Sequence, residues 1–180
     1  MLNDIAGLII DTVATVLAAV FLLRFWAQAV HVRPPEPVVR MIFKLSNWMI
    51  LPLRRIIPPV GGYDWASLIG TVFVAGVAVL STAWMAAQLA PTFLLLATIQ
   101  QIINWVIYGF MGLLVIEALF SWINPHAPLA PFISALNEPL LRPLRRLIPP
   151  LGGLDLTVLI ALVLLRVVLK LSSTLLVSFL

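Results

Sequence analysis

Four stretches of the chain are almost unbroken by polar residues: about Ile5–Val30, Trp65–Ala90, Phe93–Ile123 and Leu156–Leu180. Crossing a hydrocarbon layer of about 30 Å takes roughly 20 apolar residues in helical form, so each stretch is long enough to span. Asp64 and Glu117 bracket 52 residues without a single Asp, Glu, Lys or Arg. That length holds two crossings and a turn, with Pro91 as the natural breaker between them. The remaining residues form two long connections, 31–64 and 124–155. Each opens on prolines, Pro34, Pro35 and Pro37 in one and Pro125, Pro128 and Pro131 in the other. Proline lacks an N–H and clashes with the preceding turn, so these clusters end the helices before them. Within the first connection, Val38–Leu51 sets Arg40, Lys44 and Asn47 on one helical face among apolar residues, the pattern of a helix lying in the membrane interface. Phe132–Leu141 is a weaker counterpart, interrupted by Pro139.

Both connections end on one phrase. PLRRIIPPVGGYDWASLI fills 52–69 and PLRRLIPPLGGLDLTVLI fills 143–160, an offset of 91 residues with 12 of 18 positions identical. Pro58–Pro59 and Pro149–Pro150 hold the chain extended. Gly61–Gly62 and Gly152–Gly153 then admit the positive φ of a tight reversal. Asp64 and Asp155 start the next spans, either as helix caps alone or as caps that also pair with a motif arginine. The expected fold is an all-α membrane protein with four transmembrane helices in two parallel tandem repeats, residues 1–90 and 91–180. Each repeat carries an interfacial amphipathic segment (36–63 and 129–154) ending in a Pro-Pro-x-Gly-Gly elbow. Two spans per repeat bring both repeats in from the same side, related by a pseudo-two-fold axis along the membrane normal.

Composition agrees with a membrane setting. The chain is 62% hydrophobic and 10% charged, with a mean hydropathy of +1.12, against about 25% charge in a soluble domain. No Lys or Arg precedes Asp4 and Asp11, so the first stretch reads as a retained span and not as a cleaved signal. Of the 11 Lys and Arg, 8 lie in the two connections. The positive-inside rule then puts both connections in the cytoplasm, and both termini and the Pro91 turn outside. The net charge of +4 clusters beside spans and does not read as a nucleic-acid signal. There is no cysteine.

Candidate chemistry is sparse. Arg54, Arg55, Arg145 and Arg146, with Arg40 and Lys44, sit at headgroup depth, where each basic residue near anionic lipid is worth about 1 kcal/mol. They read either as topology anchors or as a lipid- or partner-binding site. Asp11, Arg24, Glu117, Arg166 and Lys170 lie inside apolar stretches, where charges are costly and face the bundle interior or a cavity. Arg24 shifted by 91 residues lands on Val115, two positions from Glu117, so Arg24–Glu117 is one candidate pair and Asp11–Lys170, on the outer side, another. Ala14/Ala18, Ala66/Gly70 and Gly109/Gly112 offer sites of close helix approach. His31 and His126 stand beside loop prolines and read as exposed or interfacial. No metal cluster, nucleophile–base set or phosphate loop is visible, so neither cofactor nor enzymatic activity is expected.

On PLRRIIPPVGGYD and its echo, together with Asn124-Pro125 and Asn137-x-Pro139, nearly the whole chain resembles the YggT family, also called YlmG-like. The first repeat departs from that pattern, with Arg33-Pro34-Pro35 in place of an Asn-Pro and Trp48 after Asn47. The resemblance implies a bacterial inner-membrane or plasma-membrane location. It associates relatives with osmotic-stress tolerance and ion uptake, with cell division or nucleoid distribution, and in chloroplasts with cytochrome assembly. No catalytic residue is carried over. The expected protein is non-enzymatic and docks anionic lipid, other membrane proteins or itself, in membrane organisation, assembly or stress tolerance. The alternative is a small ion transporter or channel component, active as an oligomer, with Arg24, Glu117, Arg166 and Lys170 lining a path.

Overall fold

The computed structural model describes residues 2–147 and 156–178. Within them the chain forms six helices: α1 (Leu2–Ala29), α2 (Glu36–Ile56), α3 (Trp65–Met85), α4 (Pro91–Ile123), α5 (Ala130–Leu147) and α6 (Leu156–Val177). Helices α1, α3, α4 and α6 are long and apolar enough to cross a membrane.

The helix ends follow local chemistry more than hydropathy. The second span stops at Met85, short of the Ala90 expected from its apolar run. Ala87 turns to φ +54, and the N–H groups of Ala87 and Gln88 return to the carbonyls of Trp84 and Ala83, closing the helix as a Schellman motif. Pro91 then takes the first position of α4, where its missing N–H costs nothing. Helix α1 ends in the same way, with His31 at φ +58 and bonds from His31 and Val32 back to Gln28 and Ala27.

The two connecting helices are longer than the sequence suggests. Helix α2 runs through Pro52 and carries Arg54 and Arg55 in its last turn, opposite Glu36 in its first, an arrangement that suits the helix dipole. Helix α5 passes through Pro139 and Pro143 without a break and carries Arg145 and Arg146 in its last turn. Thus the PLRR part of each motif is helical. In the first connection the chain reverses only at the glycines, in a tight turn. Gly61 and Gly62 have φ of +66 and +82, and the Tyr63 N–H reaches the Val60 carbonyl at 3.3 Å. Gln28 Nε2 donates to the Gly62 carbonyl at 2.8 Å and Phe25 stacks on Tyr63, tying the turn to α1. The second motif's Pro149, Pro150, Gly152, Gly153 and Asp155 lie outside the described residues.

Among the described residues, three apolar clusters hold the bundle. Phe21, Ile42, Ile50 and Ala75 join α1, α2 and α3. Leu114, Leu141, Val158 and Ala161 join α4, α5 and α6. Between them, Ala27 at the end of α1 meets Phe132, Ile133 and Leu136 of α5, and Trp26 donates its indole N–H to the Leu136 carbonyl at 2.9 Å. Helices α1 and α4 also touch, through Thr15–Trp105 and Asp11–Gln101 hydrogen bonds between residues 90 apart. Ala14, Ala18, Ala66 and Gly70 are buried as the close-packing reading requires. A Cβ on Gly70 would stand 3.0 Å from Ile50 Cδ1 and 3.3 Å from the Phe21 ring, so this glycine lets α2 and α1 close on α3. Gly109 and Gly112 are different: both are exposed, with nothing near the place a Cβ would occupy.

Candidate functional site

The buried charges do not pair as the repeat offset suggests. Arg24, on α1, is 7% exposed and donates Nε to Asp64 Oδ2 at 3.0 Å. Its Nη1 donates to Ser46 Oγ at 2.6 Å and Asn47 Oδ1 at 3.0 Å, and its guanidinium lies 4.9 Å from the Phe43 ring centre. Asp64, 1% exposed, also accepts from Arg54 Nη2 at 2.7 Å and from the Ser67 hydroxyl at 2.8 Å, while the Ser67 N–H caps α3 at 3.4 Å. Asp64 is therefore both a helix cap and the acceptor of two arginines. Burial alone would raise its pKa, but hydrogen bonds from Arg54 and Ser67 and the two positive charges hold it below the ordinary carboxylate value.

Glu117, on α4, finds its own partners in α5. It accepts from Arg145 Nη2 at 3.2 Å, Ser134 Oγ at 3.1 Å and Asn137 Nδ2 at 2.7 Å. Arg145 also reaches Glu138 at 2.9 Å. So Arg24 and Glu117, expected to meet across the axis, each pair within their own half. The physical reason is that α2 and α5 fold back on the spans and supply partners closer than the opposite half can. Asp11 and Lys170 also remain apart. Helix α6 packs on α4 and α5, whereas α1 packs on α2, α3 and α4 and meets α5 at its end. Asp11 instead accepts from Gln101 Nε2 at 3.3 Å, and Lys170 and Arg166 are exposed on α6.

The basic motif residues divide into two sets. Arg54 and Arg145 keep about a third of their side chains exposed and are committed to Asp64, Glu117 and Glu138. Arg55, Arg146, Arg40 and Lys44 are exposed and form no ion pair among the described residues. At about 100° per residue, Arg40, Lys44 and Arg55 fall within an arc of roughly 60° on α2. The buried Ile42, Ser46 and Ile50 lie on the opposite side, and Trp48, 63% exposed, flanks the basic arc. Asn47, expected beside Arg40 and Lys44, turns inward to Arg24. His31 and His126 are exposed, in keeping with their reading as loop or interfacial residues.

Ser46, Asn47, Ser134, Asn137 and Glu138 complete the networks and are not legible as site residues in the sequence. A signal for four of them exists: Ser46-Asn47 and Asn137-Glu138 occupy equivalent places 91 residues apart. An open cleft of about 630 Å³ adjoins the first network, between the end of α1, the start of α2 and the glycine turn, and Arg24, Arg33 and Arg54 are in its wall. Glu117, Arg166 and Lys170 do not line it.

The model of the family described as CCB3/YggT matches the chain twice, over residues 4–85 and 96–176. The uncharacterised protein YggT of Escherichia coli K12 is 34% identical over 170 residues, covering 89% of this chain and 85% of that one. An uncharacterised protein of Pseudomonas aeruginosa is 32% identical over 172 residues, covering 93% and 87%. One of Vibrio alginolyticus is 31% identical over 159 residues, covering 84% of each. No solved structure matches the chain.

Proposed function

Because the chain belongs to the CCB3/YggT family, we propose that it is a non-enzymatic, multi-pass inner-membrane protein whose two basic connections form a lipid- or partner-docking surface. On this reading the connections face the cytoplasm, both termini lie outside, and α2 and α5 are amphipathic helices in the headgroup layer. The observation that carries it is the division of the basic residues. One arginine per motif, Arg54 or Arg145, is spent internally, and the next, Arg55 or Arg146, is exposed and has no ion pair among the described residues. On α2 these outward charges share one arc with an exposed Trp48 and face away from the core, the composition of a helix face that meets headgroups. The double match of the family model and the α1–α4 contacts between residues 90 apart support two tandem repeats about a pseudo-two-fold axis. The transport alternative has no comparable support, since Arg24 and Glu117 are occupied by ion pairs and Arg166 and Lys170 sit on the outside of α6.

The reading is tested with Arg40, Lys44, Arg55 and Arg146 all changed to Gln. These side chains make no ion pair among the described residues, so the fold is expected to stand. Each lost charge near an anionic surface removes about 1 kcal/mol. The variant, reconstituted into bilayers of mixed composition, is expected to lose most of its enrichment for anionic over zwitterionic lipid and its retention of acidic membrane partners. Unchanged enrichment and unchanged partners reject the docking surface.

A further inference from the structure

We propose that the cleft beside the first network is a binding site for one phosphate group, and that its occupant is the phosphodiester of an anionic lipid headgroup. The inference rests on the proposed function, in which this end of the bundle meets the anionic leaflet. Charge and unspent donors carry it.

Charge comes first. Arg24 and Arg54 share a single carboxylate, Asp64, so their cluster keeps one positive charge in excess. Arg33 adds another, and among the described residues no Asp or Glu lines the cleft. A cleft of one sign with apolar walls draws and holds an ion of the other. The second half does not reproduce this: the Arg145 guanidinium is shared by two carboxylates, Glu117 and Glu138.

The donors are not all used. Arg24 spends Nε and Nη1, and its Nη2 makes no hydrogen bond among the described residues. Arg54 spends Nε and Nη2, and its Nη1 makes none among them either. Arg33 is exposed and makes no ion pair among the described residues. Planar guanidinium forks matched to oxyanion geometry are a common means of binding phosphate. Arg24 is already held by Asp64, Ser46 and Asn47, so ordering it for a ligand costs little further entropy.

His31 stands at the rim. His31 occupies the left-handed position at the end of α1, φ +58, where glycine would sit without steric cost. Its imidazole lies against Gly62, Nε2 being 3.9 Å from the place a Cβ there would occupy, and both residues line the cleft. An imidazole ring carries one N–H donor, and this one stands at the rim. The cleft opens at the end of a span and its volume exceeds that of a bare phosphate, which favours a lipid headgroup over the free ion.

Arg33→Gln isolates the site, because Arg33 lies between helices and is not part of the buried network. Phosphatidylglycerol is titrated into the full chain in zwitterionic detergent, with bound lipid counted by native mass spectrometry, and with phosphatidylcholine and inorganic phosphate as comparison ligands. One tightly held phosphatidylglycerol is expected. Arg33→Gln is expected to weaken it about fivefold, the effect of one charge at the headgroup layer. The Arg40, Lys44, Arg55 and Arg146 variant is expected to keep it while losing the weaker lipids. If the four-residue variant loses all anionic lipid and Arg33→Gln changes nothing, the cleft site is overturned and the docking face stands. If the wild-type chain holds no phosphatidylglycerol above phosphatidylcholine, both fall. Inorganic phosphate binding as tightly as the lipid, and displacing it, overturns the lipid assignment.

Discussion

Asp64→Asn is expected to be among the most damaging single substitutions in the bundle, costing about 3–5 kcal/mol, because it leaves a buried arginine without its counter-charge. Arg54 keeps 33% of its side chain exposed and can turn towards water; Arg24, at 6%, cannot. The amide preserves the shape of the cap and its acceptor for the Ser67 N–H, so the loss reports charge and not geometry. Replacing both partners is the control. Arg24→Met in the Asp64→Asn background is expected to recover much of the loss, since an uncharged pair of similar volume no longer strands a buried charge. Unfolding by increasing denaturing detergent measures all three chains, and a loss below about 1 kcal/mol for Asp64→Asn contradicts the network, since a buried pair broken on one side costs several times that. The same pair sets an acid limit. With the folded pKa of Asp64 depressed, its contribution is complete above the unfolded value of about 4. It is lost as pH falls through the lower folded value. Wild-type stability is therefore expected to drop in that acid range and Asp64→Asn to lack that part of the drop.

Swapping Arg24 and Glu117 is expected to compound damage and not repair it. Glutamate at position 24 would face Asp64, and arginine at position 117 would face Arg145. A milder cycle puts a number on this. Arg24→Gln with Glu117→Gln shares no partner, so the two losses are expected to add within about 0.5 kcal/mol. Arg24→Gln with Asp64→Asn touches one bond, and a coupling of about 0.5–3 kcal/mol is expected. Coupling between 24 and 117 as large as that between 24 and 64 would mean the charges meet across the halves.

The spans are legible because lipid imposes length and continuity on apolar residues, and α1, α3, α4 and α6 lie where that pattern puts them. Punctuation and azimuth are what mislead. Pro139 reads as a break, yet α5 continues through it and through Pro143, and α2 runs through Pro52. A proline removes one hydrogen bond, and tertiary packing of Ile50, Leu136 and Leu141 can outweigh that loss. Hydropathy gives the depth of a charge but not the direction it faces around its helix. It sets Arg24 and Glu117 near the same depth. Nothing in the apolar pattern says that α2 and α5 each bring a polar pair, Ser46-Asn47 and Asn137-Glu138, to these networks. The 91-residue offset relates two stretches of sequence, but Arg24 and Glu117 stand at nearly equivalent positions with opposite charge, so the offset alone pairs the wrong residues.

On the function proposed, both motif connections lie on the cytoplasmic face. The chain has no cysteine, so single cysteines report position without background. Arg55→Cys places a thiol on the exposed end of α2, and Gln88→Cys places one in the exposed α3–α4 turn. In intact cells with a permeabilised outer membrane, a membrane-impermeant maleimide is expected to label Gln88→Cys at once and to label Arg55→Cys only after the inner membrane is opened. The reverse order, Arg55→Cys labelled from outside and Gln88→Cys protected, would put both connections outside and contradict a cytoplasmic docking face.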